Sequence, residues 1–405
     1  MTLRASKPSF NVREKLTELG RRFGLKGSEL AAAETVQEAR DLVSAGRKNL
    51  VINGSMMINQ RGNKTGYVGS SNEVYHGPDR FLTSIYGTVS INQSSDVPEG
   101  YGFEYSKELL CAATSTHANR YLTFIYRMEG YDSMVFNYGT SKAKHVTLSF
   151  WIKSNKACDI SVNFENEQNA DRGYQVKQTI NNVGTWEKKI VTIPGDIART
   201  LTTGPQKAFC FDIFLSAPGS NFTGGTPSES WTDLNNNQRG VHCNADFYDS
   251  TSNYFRVTGV QLELGKNATE FEHRSYGEEL ALCQRYFMTF PSRNGGALQW
   301  IVSYLNGTVR AVCLVPNSMR QLPTAKEKDG TTTISSGNVY STNGTNVSSQ
   351  TSEGNNPTFQ VTGSAASPVV MMVWTSASAP TTFSNNYASA SWNGALPGVF
   401  LDAEL

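Results

Sequence analysis

The sequence predicts a mainly β protein, in which a short N-terminal helical segment precedes a two-sheet β-sandwich, a linking helix and a C-terminal β-sandwich tip. Charged residues make up only 18% of the 405 residues, and there are 35 glycines. This balance suits strands joined by tight turns. Nine segments between residues 80 and 265 alternate apolar with polar residues, without an intervening helical pattern. Such a run is typical of a closed sandwich.

Residues 1–48 have a helical pattern. Apolar residues recur there at spacings of three and four in two stretches, so each helix has one apolar stripe. Neither helix is long enough to be stable alone in water. The stripes therefore dock on the protein's own domain, on sister chains or on another protein, and their position ahead of the β-rich body favours the last two. The stripe residues that we expect to mediate attachment or oligomerisation are Val12, Leu16, Leu19, Phe23, Val36 and Val43.

The β-rich body begins at Asn49. Two apolar runs flank Asn53-Gly54, which predicts either a hairpin or an edge strand followed by a bent one. An irregularity is expected near Gly259, and Trp151 and Trp186 are expected in the core. The segments predicted as strands are 80–93, 101–113, 120–128, 145–154, 158–166, 173–180, 185–194, 207–217 and 253–265.

A helix is predicted after the sandwich, within a linking segment at 273–290. Ser275 and Glu278 have the spacing of a capping box, and the apolar spacing continues to Phe287. A second β-rich region, 291–405, is expected to form the tip. Its segments 367–378 and 397–405 read as strands, so we expect the C-terminus to be structural.

Composition and charge exclude several classes of function. The formal net charge of +1 gives no electrostatic reason to expect binding to nucleic acid or anionic membrane. No run of about 18 apolar residues predicts a transmembrane helix, and the N-terminus lacks the apolar core of a signal peptide. The six cysteines are scattered without a CxxC pair, which favours buried free thiols over a zinc site.

No motif for catalysis or for a cofactor is present. The sequence has no nucleophile elbow, no HExxH and no nucleotide-binding glycine loop, so we expect a non-enzyme without a cofactor. Asp246 and Asp249 are weak candidates for calcium ligands, and an ordinary Asx-turn is the alternative. Carboxylates that could converge as a glycosidase pair are Asp79, Glu104, Glu165, Glu167, Asp246 and Asp249.

Aromatic residues in polar loops are the candidate glycan contacts. Trp231 lies in "TPSESWTDLNNNQRG", and its flat face could cover the C–H face of a sugar ring. The alternative is a Trp that anchors the loop. Tyr340 and Trp392 have similar surroundings in the C-terminal region.

Several stretches together resemble a segment found in bacteriophage tail-fibre and related virion proteins. They are "KNLVINGSMMINQRG", "GPDRF", "GTWEKKIVTIPGD" and "VTGVQLELGKNATEFEHRSYGEELALCQRYF", and they span about residues 49–287. The resemblance implies a jelly roll similar to carbohydrate-binding modules at 49–272, with the opening segment at Asn49–Asn53 paired beside Val257–Leu264. The sequence departs from the family at Asn59, where an aromatic residue is usual, and at Glu270, where Pro is usual.

The resemblance implies a non-enzymatic tail fibre, located in the virion and made in the host cytoplasm. By family habit it would be a homotrimer whose N-terminal helices bind other tail or capsid proteins. Its β domains would bind host surface polysaccharide, with no nucleic acid partner and no membrane insertion. Two alternatives remain at this stage, a purely structural fibre or decoration protein and a glycan depolymerase.

Overall fold

The structure is a computed structural model of the chain. It describes residues 48–167, 172–290, 319–320 and 403–404, and the backbone of nine strands between residues 300 and 402. The predicted attachment segment lies outside the described residues apart from Lys48. Its stripe residues Val12, Leu16, Leu19, Phe23, Val36 and Val43 therefore stay predictions.

Eleven antiparallel strands form one sheet, in the order β10-β7-β6-β9-β4-β2-β3-β11-β5-β8, with β1 beside β2. All nine predicted strand segments contain a strand, which confirms the mainly β fold. The sequence missed β10 and the Gly- and Ser-containing β1. The strands are β1 Lys64–Val74, β2 Phe81–Ser94, β3 Ser106–Ala113, β4 Tyr121–Glu129, β5 Val146–Ser154, β6 Cys158–Asn166, β7 Arg172–Ile180, β8 Glu187–Ile193, β9 Lys207–Ser216, β10 Thr232–Asp233 and β11 Tyr254–Leu264.

Strand β2 makes the sandwich one curled sheet. Its first half pairs with β4 and its second half with β3. Gly87 lies between the halves with φ 145°, and a Cβ there would meet the Tyr248 ring at 2.4 Å. The sheet therefore curls around a single core in the manner of a jelly roll, and Gly87 leaves room for the Tyr248 ring where the pairing changes.

The two tryptophans expected in the core lie on the outer surface, so that expectation was wrong. Phe150 and Ile152 are fully buried, and the alternation of β5 therefore turns Trp151 outward. There it is half-buried, with its ring 4.5 Å from that of Tyr101. Trp186 precedes β8 and is half-buried.

The opening segment lies beside β11 as predicted, but it is a turn and not a strand. Leu50 N donates to Leu262 O at 3.0 Å, and Val260 N donates to Gly54 O at 2.9 Å. Asn53 has φ 62°, and its carbonyl accepts from Met56 N at 2.9 Å. The Asn53-Gly54 turn is therefore confirmed, while the predicted strand pairing is replaced by isolated hydrogen bonds.

The irregularity predicted near Gly259 explains this contact. The pairing of β11 with β5 shifts register between Thr258 and Gln261, and Gly259 has φ 61°. A bulge removes a residue from the ladder. Val260 therefore binds the opening segment, and its carbonyl also accepts from Asn49 Nδ2 at 3.1 Å.

The linking helix spans Tyr276–Gln284, and Ser275 Oγ caps it by accepting from Glu278 N at 3.4 Å. The helix is shorter than predicted because Phe287 begins strand β12, Phe287–Phe290. Its buried Cys283 packs with Ile52 of the opening segment, in a small cluster that also contains Tyr286 and Ile58. The helix is therefore packed on the start of the β-rich body. The remaining helical turns are Gly130–Ser133, Met134–Phe136, Ser220–Thr223, Asn236–Gln238 and Phe247–Asp249.

Strands in the C-terminal region form two further sheets, with the orders β12-β21-β15 and β17-β16-β20-β13-β14-β19-β18. The strands predicted at 367–378 and 397–405 correspond to β19 and β21. The division of the chain at residues 272 and 291 stays a prediction. The strands are β13 Trp300–Leu305, β14 Thr308–Leu314, β15 Thr324–Glu327, β16 Val339–Asn343, β17 Asn346–Ser349, β18 Thr358–Ser364, β19 Ser367–Thr375, β20 Ser389–Trp392 and β21 Val399–Asp402.

The end of the chain returns to the β-rich body. Ala403 N donates to Tyr286 O at 2.7 Å, and Glu404 forms ion pairs with Arg80 and with Arg61, the latter at 3.4 Å. We call Arg61, Arg80 and Glu404 the terminal ion-pair cluster. Arg320 donates to the carbonyls of Ala403 and Glu404 at 2.7 and 2.9 Å. The expectation of a structural C-terminus is confirmed.

The structure also bears on the cysteines and on membrane-spanning helices. The five described cysteines are free thiols, four of them buried and Cys243 half-buried, as predicted. In the part of the chain that is described, no helix has the length and apolar character needed to cross a membrane.

Candidate functional site

The outer face of β4, β6 and β9 is polar although much of it is buried. Phe124, Phe164 and Phe211 point to the core and are fully buried. The residues between them point outward, and the strand register places Ile125, Asp212 and Asn163 in one row across the three strands. The outward residues are Thr123, Ile125 and Arg127 of β4, Ser161, Asn163 and Glu165 of β6, and Cys210, Asp212 and Phe214 of β9.

The loop 217–245 covers part of this face. Asn163 Nδ2 donates to Arg239 O at 2.9 Å, and Gln175 Nε2 donates to Gln238 O at 2.7 Å. The uncovered part is a groove of about 360 Å³, which we call the β4–β9 groove. Its lining is Ser71, Glu73, Ser84, Tyr121, Thr123, Ile125, Arg127, Glu165, Glu167, Cys210, Asp212, Phe214, Phe222, Asn236 and Arg239.

Ion pairs line the groove. Arg127 donates to both carboxylate oxygens of Glu73, at 2.7 and 2.8 Å, and to Glu167 at 2.7 Å. Arg239 Nη1 lies 2.6 Å from each oxygen of Glu165. Burial disfavours the charge of Arg127, but Glu73 and Glu167 outweigh it and raise its pKa. The guanidinium groups of the groove are thus already engaged by carboxylates.

Asp212 differs from the other carboxylates of the groove. It is 5% exposed, and its Oδ1 has no hydrogen-bond partner among the described residues. Burial, and then the charge of Glu165, raise the pKa of Asp212 well above its usual range. The lining of the groove therefore includes a buried carboxyl group with an oxygen that no described residue contacts by a hydrogen bond.

An aromatic cluster lies at one end of the groove. The Phe222 ring lies 4.6 Å from that of Tyr121 and 5.2 Å from that of Phe214. Phe222 is half-buried, whereas the other two are buried. The groove therefore combines an apolar ring surface with hydrogen-bonding side chains, the composition typical of small-ligand sites.

Of the carboxylates that the sequence suggested might converge, only Glu165 and Glu167 line this groove. Asp79 is buried elsewhere, where it accepts from Gln60 N at 3.0 Å, and Glu104 is exposed.

The calcium candidates are each paired with a cation. Asp246 accepts from Arg120 Nη2 at 2.7 Å, and Asp249 pairs with Lys156. Asp246 also accepts from Tyr248 N, which is the local turn contact named as the alternative. Within the described ranges, no three His, Cys, Asp or Glu residues are grouped to hold a metal ion.

Trp231 packs on the core edge and does not line the groove. Its Nε1 donates to Pro194 O at 2.7 Å, and its ring meets those of Tyr138 and Tyr174 edge-on at 5.5 and 5.9 Å. These contacts are those of a loop anchor. Tyr340 lies in β16 opposite Ser391, and the neighbouring pair joins Val339 to Trp392 of β20. The side chains of Tyr340 and Trp392 lie outside the described part.

The sequence analysis missed Asp212 and the aromatic end of the groove. A signal for Asp212 exists, because in "FCFDIFLS" a carboxylate stands between Phe211 and Ile213 of an otherwise apolar strand. A charge at an alternate position of such a strand indicates an outer face with a partner or a ligand. No local pattern indicates that Phe222 would meet Tyr121, since loop 217–245 has to fold over the sheet first.

No family model matches the chain, and no curated protein matches it. Similar solved structures include the enzymatically active domain of bacteriophage CBA120 tailspike protein 4, at 14% identity and TM-score 0.29, over 53% of this chain and 21% of the tailspike chain. A putative sugar binding protein from Bacteroides thetaiotaomicron matches at 10% identity and TM-score 0.26, over 54% of this chain and 100% of that protein. The family 11 carbohydrate-binding module of a Clostridium thermocellum cellulosomal cellulase matches at 12% identity and TM-score 0.24, over 52% of this chain and 99% of the module. At these identities and TM-scores the likeness assigns no function to the chain.

Proposed function

We propose that the protein is a non-catalytic bacteriophage tail-fibre component that binds host-surface glycan in the β4–β9 groove. The observation that carries the glycan-binding part is Asp212, a buried carboxyl in the lining of the groove whose Oδ1 has no hydrogen-bond partner among the described residues. Leaving such an atom unpaired costs free energy, and a sugar hydroxyl would pair with it. The virion role rests on the sequence resemblance across residues 49–287.

The remaining groove residues suit a sugar. The hydroxyls of Thr123 and Ser84 line it beside the carboxylates, and the half-buried Phe222 ring offers a face for the C–H groups of a pyranose. Tyr340 and Trp392 remain proposed as further glycan contacts, whereas for Trp231 we propose the loop-anchor role, which its hydrogen bond to Pro194 O supports. Trimerisation through residues 1–48 would raise the avidity of a weak site by effective concentration.

Retention on immobilised host envelope polysaccharide tests the proposal. We expect the purified chain to be retained and to block phage adsorption, and Asp212→Ala to lose most retention. Asp249→Ala is the control, because that carboxylate is exposed and lies outside the groove. Phe222→Ala is a second groove variant, in case Asp212→Ala does not fold. If the folded wild type shows neither retention nor block, the protein is a structural fibre component and the receptor-binding proposal fails.

A glycan depolymerase is the second candidate. One specific observation favours it, since burial and the charge of Glu165 raise the pKa of Asp212, and a carboxyl of raised pKa beside a second carboxylate is the arrangement of glycosidase acids. Against it, Glu165 is held by Arg239 through both oxygens. Release of reducing ends from the same polysaccharide, lost in Glu165→Gln, would replace the binding proposal by the depolymerase.

A further inference from the structure

We propose that the β4–β9 groove takes an uncharged glycan and discriminates against acidic glycans, those that carry uronate, sialate or phosphate groups. This inference rests on the proposed function, since it names the ligand class of the same groove. It follows from how the charged side chains of the groove are already paired.

Carboxylates equal or outnumber cations along the groove. Three carboxylates line it besides Asp212, against the two guanidiniums of Arg127 and Arg239. Lys207 adds a third cation at the rim, where it pairs with Glu167. No excess of positive charge therefore draws an anionic sugar into the groove.

The guanidinium groups of Arg127 and Arg239 already donate hydrogen bonds to carboxylates of the protein. An acidic sugar would be held best by a two-pronged contact with an Arg side chain. Arg127 already gives that contact to Glu73, and its Nε to Glu167. An incoming uronate would have to displace one of these, which exchanges one carboxylate for another without gain.

Displacement at Arg239 is less favourable still. The side chain of Glu165 is 7% exposed, and losing its Arg239 contact would remove a counter-charge from a buried carboxylate. Breaking a buried pair in this way is strongly unfavourable. The Glu165 carboxylate would also repel a second anion placed beside it in the low-dielectric groove.

Asp212 adds to this selection, because its Oδ1 has no hydrogen-bond partner among the described residues. Its unpartnered Oδ1 suits a hydroxyl, which every neutral hexose supplies in quantity. Glu73 supplies the repulsive element, since its side chain lines the groove and is 47% exposed, so that it meets a ligand entering from solvent. Discrimination of this kind combines a matched contact with a repulsive one.

The test is an array of neutral glucan, galactan and mannan oligosaccharides, each beside its C6-oxidised uronate form. We expect the wild type to bind at least one neutral form at least tenfold more tightly than its oxidised counterpart. Glu73→Gln removes the exposed carboxylate and loosens Arg127, so we expect it to narrow that ratio at least threefold. Glu229→Gln has the same charge change at an exposed position outside the groove, and we expect it to leave the ratio unchanged.

The outcomes separate the two proposals. Equal or tighter binding of the oxidised forms would overturn the charge discrimination while leaving glycan binding in place. An unchanged ratio in Glu73→Gln would overturn the assignment of the discrimination to this groove. If no oligosaccharide and no host polysaccharide binds a wild type that is folded by circular dichroism, the proposed function itself fails.

Discussion

The terminal ion-pair cluster is predicted to be a main source of stability for the described part of the chain, and Glu404→Ala tests this. The Arg80 side chain is 1% exposed and that of Glu404 is 4% exposed. Without Glu404, the Arg80 guanidinium keeps its hydrogen bond to Arg127 O at 2.8 Å and its position 3.4 Å from the Tyr286 ring. It loses the carboxylate that balances its charge.

Removing one partner of a buried ion pair costs about 3–5 kcal/mol. For a domain of this size, each kcal/mol lowers the melting temperature by about 2–4 °C, so Glu404→Ala is expected to melt about 6–20 °C lower. The assay is thermal unfolding followed by tryptophan fluorescence and by near-UV circular dichroism. Coincidence of the two signals shows whether one transition describes the loss.

The matched control is Lys177→Ala. Lys177 pairs with Asp159 at 3.0 Å, but its side chain is 51% exposed, so its loss should cost no more than about 1 kcal/mol. The double variant Arg80→Met, Glu404→Leu replaces the buried pair by apolar side chains and should recover part of the stability. A Glu404→Ala shift as small as that of Lys177→Ala would refute the buried pairing.

Three further predictions concern the turn, a buried acid and the loop anchor. Gly54→Ala should lower the free energy of unfolding, measured with urea, by about 1–3 kcal/mol. The reason is that the new Cβ would lie 2.1 Å from a backbone carbonyl oxygen of β11. The control is Gly277→Ala in the linking helix, whose Cβ would meet nothing within 4 Å and which should not destabilise the protein. Burial raises the pKa of Asp79 to about 6 from its usual 3.8, so the contribution of this carboxyl to stability is full only below that usual value and is lost as the pH rises through 6. Relative to Asp79→Asn, the unfolding free energy should fall by about 2 kcal/mol between pH 4 and 7, and parallel pH profiles would contradict this. Trp231→Ala should lower the melting temperature, since it removes ring packing and an indole hydrogen bond. Retention on polysaccharide should stay unchanged. Lost retention at an unchanged melting temperature would instead identify a site where the Trp231 ring stacks on a sugar.

The alternation of apolar and polar residues was enough to predict where the strands of the body lie, but the prediction for Trp151 did not follow it. Val146, Leu148 and Phe150 of β5 are fully buried, and the same period turns Trp151 outward. Placing Trp151 in the core followed its apolar character and not its position. The error shows that a large aromatic residue on a strand is assigned to a face by its period before its hydrophobicity.

In the opening segment, the local sequence predicted the turn, but tertiary contacts decided whether strands form beside it. Asn53-Gly54 indicated a turn correctly, because Asn tolerates the positive φ found there. Whether the flanking apolar runs became strands depended on a partner edge. Strand β11 pairs with β3 only over Tyr254–Val257, and from its bulge onward the opening segment meets this second edge through single hydrogen bonds at Val260 and Leu262.

The sequence by itself determined the β class, the position of the nine strands, the capped helix and the free thiols, because these follow from side-chain period, turn residues and spacing along a few residues. Only the tertiary structure decided the groove and the terminal ion-pair cluster. Glu404 meets Arg80 across 324 positions, and the groove exists because loop 217–245 covers one part of the sheet and leaves the rest open. Such contacts depend on which surfaces fold together, and no local pattern encodes them.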